Sequence, residues 1–241
     1  MEHINSIFEI LSPNENTYLV VLKINNDVKN NPKYENTFAD LADFADKMPN
    51  SDKKDYEILH HATKKQEFLA GKLALSKALK LLEYDYKGIK KDENGKPYII
   101  DYQENNDKNN SNIHISLSHS YPFVGALVSR LGACGVDIEQ PKEKILRVAP
   151  RVFSENELVF LEKDLEKSTV FWCAKEVLYK IYGKGEVNFK ENLFVFPYEN
   201  HTENENNLKI AAEIKMPDFY QKYVLDVSYL EDFVLCYGVD S

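Results

Sequence analysis

The sequence predicts an α+β fold, on two observations. Segments of strand character and segments of helical period are mixed along the chain, and the strand segments at 113–120, 123–129 and 133–139 follow one another across short turns. A doubly wound parallel sheet would need a long crossover, usually a helix, between successive strands.

Residues 17–24, TYLVVLKI, read as a strand, and 25–37 as a polar, Asn-rich loop. Residues 38–48 suit a short helix packed through Phe38, Leu41 and Phe44. From about Asp55 to Leu82 a longer helical pattern places Phe68, Leu75, Leu79 and Leu82 on one face, with Lys64, Lys65 and Lys72 on the same segment. Asn94-Gly95 signals a turn into the strand NGKPYII at 94–100, and 101–112 is a second polar loop. IHISLSHS at 113–120 alternates with period two. FVGALVS at 123–129 is apolar throughout, as in a strand buried on both faces, and ACGVDIE at 133–139 follows it.

Ser154 and Glu157 have the spacing of a capping box and should open a helix. Ser168 is read as the N-cap of the next helix and Gly183 as the residue that stops it. Strands return at 208–215 and 233–239. The triplet GVD occurs at 135–137 and again at 238–240, a short echo that points to two similar halves.

With 241 residues there is room for one large domain or two of ordinary size. A net charge of −9 disfavours sequence-independent binding of nucleic acid. It leaves room for a polyanionic small molecule only where lysines gather locally. Cys134, Cys173 and Cys236 show no paired metal-site spacing, which points to reduced thiols in a cytoplasmic protein rather than disulfides or zinc. The first residues lack the basic-then-apolar pattern of a secretion signal, and no apolar run is long enough to span a bilayer.

Two stretches carry chemistry. In GVDIE, Asp137 and Glu139 are two apart on a strand and share a face. Paired carboxylates repel unless a cation joins them, and Mg²⁺ takes such hard oxygen ligands together with phosphate oxygens. A lone D-x-E is more often a solvated strand end. In FWCAKEVLYKIYGKG, at 171–185, Lys175, Glu176 and Lys180 crowd the apolar stripe of Phe171, Trp172, Leu178 and Tyr179. They form either a solvated face with an i,i+4 Glu176–Lys180 pair or a ligand-facing set. In the second reading Glu176 is a third carboxylate and the two lysines are point charges for phosphate. Trp172 and Tyr179, about a turn to either side of Glu176, are expected to share its side and anchor it. Ser118 and His119 end a strand, where His119 could donate to a phosphate; a structural histidine is the commoner outcome. His60, His61 and His114 are read as surface or structural.

GVDIE, followed about 35 residues later by WCAKEVLYK, resembles the 4′-phosphopantetheinyl transferase superfamily, whose signature is G-[VI]-D and then [FW]-[SCT]-x-K-E-[AS]-x-x-K. NGKPYI at 94–99, ISLSHS at 115–120 and KKQEFLAGK at 64–72 are similar to its upstream blocks, in the same order. Val177 departs from the usual Ala or Ser. Length and Glu139 resemble the larger, monomeric, surfactin-synthetase-activating type.

The resemblance implies two similar α+β halves related by a pseudo-twofold, with the active site in the cleft between them. Residues 1–132 would contact coenzyme A, and 133–241 would carry the metal site and catalytic helix. It implies transfer of the 4′-phosphopantetheine arm of coenzyme A to a serine of an apo carrier protein, with Mg²⁺ and release of adenosine 3′,5′-bisphosphate. Asp137, Glu139 and Glu176 would hold Mg²⁺, and Lys180 would stabilise developing charge. Lys65, Lys72, Lys96, Ser118, His119 and Lys175 would bind the coenzyme. Glu176 or a metal-bound water would take the serine proton. The basic stretch at 142–152 is the expected carrier-docking patch. Two alternatives stand: a non-catalytic coenzyme A-binding module, favoured by loss of a carboxylate or of Lys180, and a Mg²⁺-dependent phosphohydrolase, which would lack the SHS and GKP blocks.

Overall fold

The structure is a computed structural model that describes residues 8–24, 35–100, 112–198 and 207–240. The loops expected at 25–37 and 101–112 lie almost wholly outside the described residues. So do the first seven residues and the side chain of Phe38. The fold is α+β. The chain divides into two compact units, Met1–Leu131 and Gly132–Ser241.

In the first unit, strands β1 (Phe8–Asn14), β2 (Thr17–Lys23), β5 (His114–Ser120) and β6 (Phe123–Ser129) form an antiparallel sheet in the order β1-β2-β6-β5. Every residue of β6 is buried, as its unbroken apolar run predicts. The helices are α1 (Glu35–Lys47), α2 (Asn50–Glu57) and α3 (Ala62–Leu81). α3 packs on β2 and β6, burying Leu75 and Leu79 among Val20, Leu22, Val124 and Val128. The Asn94-Gly95 turn joins β3 (Ile89–Lys91) to β4 (Pro97–Ile99). Gly95 has a φ of +82°, a conformation that glycine adopts without strain.

The single helix expected from Asp55 to Leu82 is two helices. The cause is an interior ion pair. Lys72 Nζ donates to Asp52 Oδ1 at 2.9 Å, and both side chains are buried. On one continuous helix residues twenty apart would be separated by about 30 Å. The break at Ile58–His61, where β-branched and imidazole side chains are weak helix formers, lets α2 fold back to make the pair. Tyr86 also donates its hydroxyl to Asp52.

In the second unit, β7 (Cys134–Glu139), β8 (Leu193–Val195), β9 (Asn207–Met216), β10 (Phe219–Leu230) and β11 (Phe233–Val239) form an antiparallel sheet in the order β7-β11-β10-β9-β8. Between β7 and β8 come α4 (Lys144–Val152), α5 (Glu155–Leu161), α6 (Leu165–Tyr182) and α7 (Phe189–Asn192). α6 lies across β7 and β11. The capping box at Ser154 and Glu157 forms as expected, and Gly183 ends α6 with a φ of +63°. Asp164 caps α6 in place of Ser168. Its carboxylate accepts from Lys167 N at 2.8 Å, while Ser168 Oγ donates to the Asp164 carbonyl from inside the first turn.

The GVD echo has a local cause. Both copies lie in the second unit, and Gly135 and Gly238 are direct partners in the β7–β11 ladder. The triplets therefore do not mark two halves. The long strand β10 carries a signal the sequence reading passed over, since Tyr223, Leu225 and Val227 are buried at period two.

Asp52→Ala would leave the Lys72 ammonium buried without its carboxylate, and is expected to lower stability by about 3–5 kcal/mol in denaturant unfolding. A loss below about 1 kcal/mol would show that the pair does not hold α2 to α3.

Candidate active site

The site in the second unit is built where α6 meets β7. Gly135 makes that contact possible, because a Cβ there would collide with the backbone carbonyl of Val177. With no side chain in the way, the α6 backbone settles onto β7 two residues before Asp137. Val177, larger than the Ala or Ser of the motif, is fully buried and lies over Gly238, where its Cγ1 would be 3.6 Å from a Cβ.

Asp137 is buried on β7, and Lys180 crosses from α6 to hold it. Lys180 Nζ donates to Asp137 Oδ1 and to the Val136 carbonyl, both at 2.8 Å. The lysine that one reading pairs with Glu176 is thus engaged on the strand. Glu139 ends β7, with Lys144 Nζ 3.9 Å from its carboxylate. Burial raises its pKa, and the charge of Asp137 adds to the rise while Lys144 opposes it. Burial, followed by the charge of Asp137, pushes Glu176 up to about 7; Glu139 adds to this and Lys180 opposes it. The three acids therefore share one electrostatic neighbourhood.

Among the described residues, no three His, Cys, Asp or Glu side chains are gathered into a group that could hold a metal as they stand. The donor chemistry nevertheless fits a hard divalent ion. All three groups are carboxylates, and Glu176 resists ionisation because it is buried and lies near the charge of Asp137, which Lys180 only partly offsets.

Two lysines expected at the coenzyme are held elsewhere. Lys175 is 0% exposed, and its three N–H groups donate to the Val152 carbonyl (2.8 Å), Glu157 Oε2 (2.8 Å) and the Phe189 carbonyl (2.9 Å). Lys72 is the interior partner of Asp52. Burial lowers the pKa of both, while the paired carboxylate opposes that shift. Trp172 and Tyr179 prove to belong to the Lys175 side of α6. They lie three before and four after it, and both rings pack on Phe189, with centroids 6.2 and 5.6 Å away. Trp172 is partly buried against the core, and Tyr179 is exposed at its edge.

The other candidates lie in the first unit. Lys65 sits over the Tyr56 ring at 5.0 Å. Lys96 follows a turn in which Asp92 Oδ1 accepts from the backbone N–H groups of Asn94 and Lys96. Ser118 and His119 lie near the end of β5, and the His119 side chain is 54% exposed. His119 Nδ1 is 3.6 Å from Glu67, a buried carboxylate that also accepts from Lys64 at 2.6 Å. Nothing in the sequence pattern singled out Glu67.

Glu176→Gln tests the crowding of the acids. A carboxyl whose pKa is higher folded than unfolded binds more protons in the native state, so stability falls as pH rises from about 4.5 to about 7. Without divalent cations, Glu176→Gln is expected to be more stable than the parent at pH 8, by about 1–3 kcal/mol, and equal to it near pH 4. Equal melting curves at both pH values would refute the crowding. Gly135→Ala is expected to cost about 1–3 kcal/mol through the forced shift of α6, read by thermal unfolding.

Residues 133–237 match the family model described as the 4′-phosphopantetheinyl transferase superfamily. The chain is also 29% identical, over 143 residues, to the 4′-phosphopantetheinyl transferase gsp of Aneurinibacillus migulanus. That similarity covers 56% of this chain and 55% of the relative, so the chain spans little more than half the length of the curated protein it matches. The matched segment contains β7, α6 and all three acids, and in that segment the chain is similar to the 4′-phosphopantetheinyl transferase superfamily.

Proposed function

We propose that this protein transfers the 4′-phosphopantetheine arm of coenzyme A to a serine of an apo carrier protein. The observation that carries the reading is the shared neighbourhood of Asp137, Glu139 and Glu176, with Lys180 anchored among them, inside the segment that matches the superfamily. In this reading the three carboxylates hold Mg²⁺, which supplies charge neutralisation at the pyrophosphate of the coenzyme. The serine oxygen forms a bond to the phosphorus that carries the pantetheine arm. The bond from that phosphorus to the bridging oxygen breaks, and adenosine 3′,5′-bisphosphate leaves. Glu176, or a water held at the cation, would accept the serine proton. Lys180 offers its ammonium to the charge that builds on the leaving oxygen.

In the first unit, Lys65, Lys96, Ser118 and His119 are the proposed contacts to the coenzyme. Lys72 and Lys175 are not among them, because their ammonium groups serve interior carboxylates. The carrier would dock on α4 and the residues just before it, where Lys142, Lys144, Arg147 and Arg151 are exposed while Ile145 and Ala149 are buried. Long-range attraction between this basic strip and an acidic carrier would speed encounter despite the net charge of −9. The three buried cysteines form no disulfide, which accords with a cytoplasmic setting. Among the described residues, no helix is long and apolar enough to cross a membrane, which says nothing of a β-barrel.

The test is mass spectrometry of several apo carrier proteins incubated with this protein, coenzyme A and Mg²⁺. A carrier gaining one phosphopantetheine is the expected result. No gain on any carrier, or free phosphopantetheine in solution, would overturn the transfer reading. Lys180→Met is expected to reduce kcat by about 10²–10³-fold. Arg147→Glu with Arg151→Glu should raise the KM for the carrier about tenfold or more, and leave the KM for coenzyme A within about twofold.

A further inference from the structure

Lys175 and Glu157 form a closed interior network. Lys175 is fully buried, and its three donors are all used: on the end of α4 at the Val152 carbonyl, on α5 at Glu157, and on α7 at the Phe189 carbonyl. Glu157 is equally occupied. Its Oε2 accepts from Lys175 and from Ser154 N at 2.6 Å, and its Oε1 accepts from Val195 N of β8 at 2.9 Å. One ion pair therefore ties α6 to α4, α5, α7 and β8. Successive helical residues point about 100° apart, so fixing Lys175 also fixes the direction of its neighbour Glu176. On the other side, the contact of Val177 with Gly135 sets how closely the same turn of helix approaches Asp137.

We infer that the Lys175–Glu157 pair is a positioning device that turns Glu176 toward Asp137 and Glu139 and so sets the affinity of the three acids for a divalent cation. The inference rests on the reading of those acids as cation ligands. It makes Lys175 a residue that acts through Glu176 without touching the coenzyme. A flexible lysine on the ligand side would bind phosphate as a point charge and would be felt in coenzyme affinity. A buried lysine that aims its neighbour would be felt in metal affinity.

The experiment uses the full chain and two variants. Lys175→Met with Glu157→Gln removes both charges together, so that no lone buried charge drives unfolding. Glu157→Asp alone is the milder second variant, because it keeps the carboxylate charge beside Lys175 and shortens its reach by one methylene. Binding of Mn²⁺ is followed by the loss of its free-ion electron paramagnetic resonance signal, alongside kcat and KM for coenzyme A on an apo carrier. In the double variant, Mn²⁺ is expected to bind about tenfold more weakly, kcat at limiting Mg²⁺ to fall about tenfold or more, and saturating Mg²⁺ to restore most of it. The KM for coenzyme A should stay within about twofold. Glu157→Asp should move the same quantities in the same direction by a smaller factor, and it decides the matter if the double variant does not fold.

A rise of tenfold in coenzyme KM with Mn²⁺ affinity unchanged would overturn the inference and return Lys175 to the phosphate. Unchanged Mn²⁺ affinity and unchanged kinetics in folded variants would overturn it as well. A parent protein that binds no Mn²⁺ would remove its basis. Failure of transfer alone is a separate result: a parent that binds Mn²⁺ but modifies no carrier refutes the transferase reading, while the Mn²⁺ arm still decides the role of the pair.

Discussion

The closeness of α6 to β7 is the constraint on which the site depends. A helix packed on a sheet normally stands off by the thickness of the side chains between them. Here the strand presents Gly135 under the carbonyl of Val177, and the backbone of the helix comes down onto it. Lys180 on the helix then reaches Asp137 on the strand. Burial, with the charges of Asp137 and Glu139 behind it, raises the pKa of Glu176 on the same helix. The main-chain contact beneath these groups is what brings helix and strand so close.

Holding like charges together costs stability, and the surrounding structure offsets the cost with rigid polar contacts. Lys180 spans helix and strand with two hydrogen bonds. On the opposite face, α6 is fixed by a second, fully buried ion pair whose carboxylate also closes a capping box and receives a strand-edge N–H. The first unit uses a comparable device for a different purpose. Its interior Lys72–Asp52 pair sets the path of the chain between two helices.

Much of this was legible in the sequence. Period-two and continuous apolar runs located β2, β5, β6, β7, β9 and β11, and the turn, cap and stop signals at Asn94-Gly95, Ser154 and Gly183 behaved as their chemistry requires. Asp137 and Glu139 are paired by spacing, because residues two apart on a strand share a face, whereas Glu176 stands out only as a charge beside the apolar stripe of its helix. Long-range pairing was not legible. Lys72 and Lys175 look in sequence like any basic residue near a ligand motif; only their burial beside Asp52 and Glu157 separates them from Lys180. For the same reason the break between α2 and α3, the role of Glu67 beside His119 and the turning of Trp172 and Tyr179 toward Phe189 could not be read from local pattern.

The bareness of Gly238 has a consequence for how such sequences vary. A Cβ there would meet Leu225 Cδ2 at 2.4 Å, while Val177 on the helix lies at ordinary contact distance. Space at this point is shared between two strand positions, so the glycine is not free to grow unless the leucine side chain yields. Substitutions at 225 and 238 should therefore travel together among relatives, an exchange of volume invisible to any motif written along one stretch of chain.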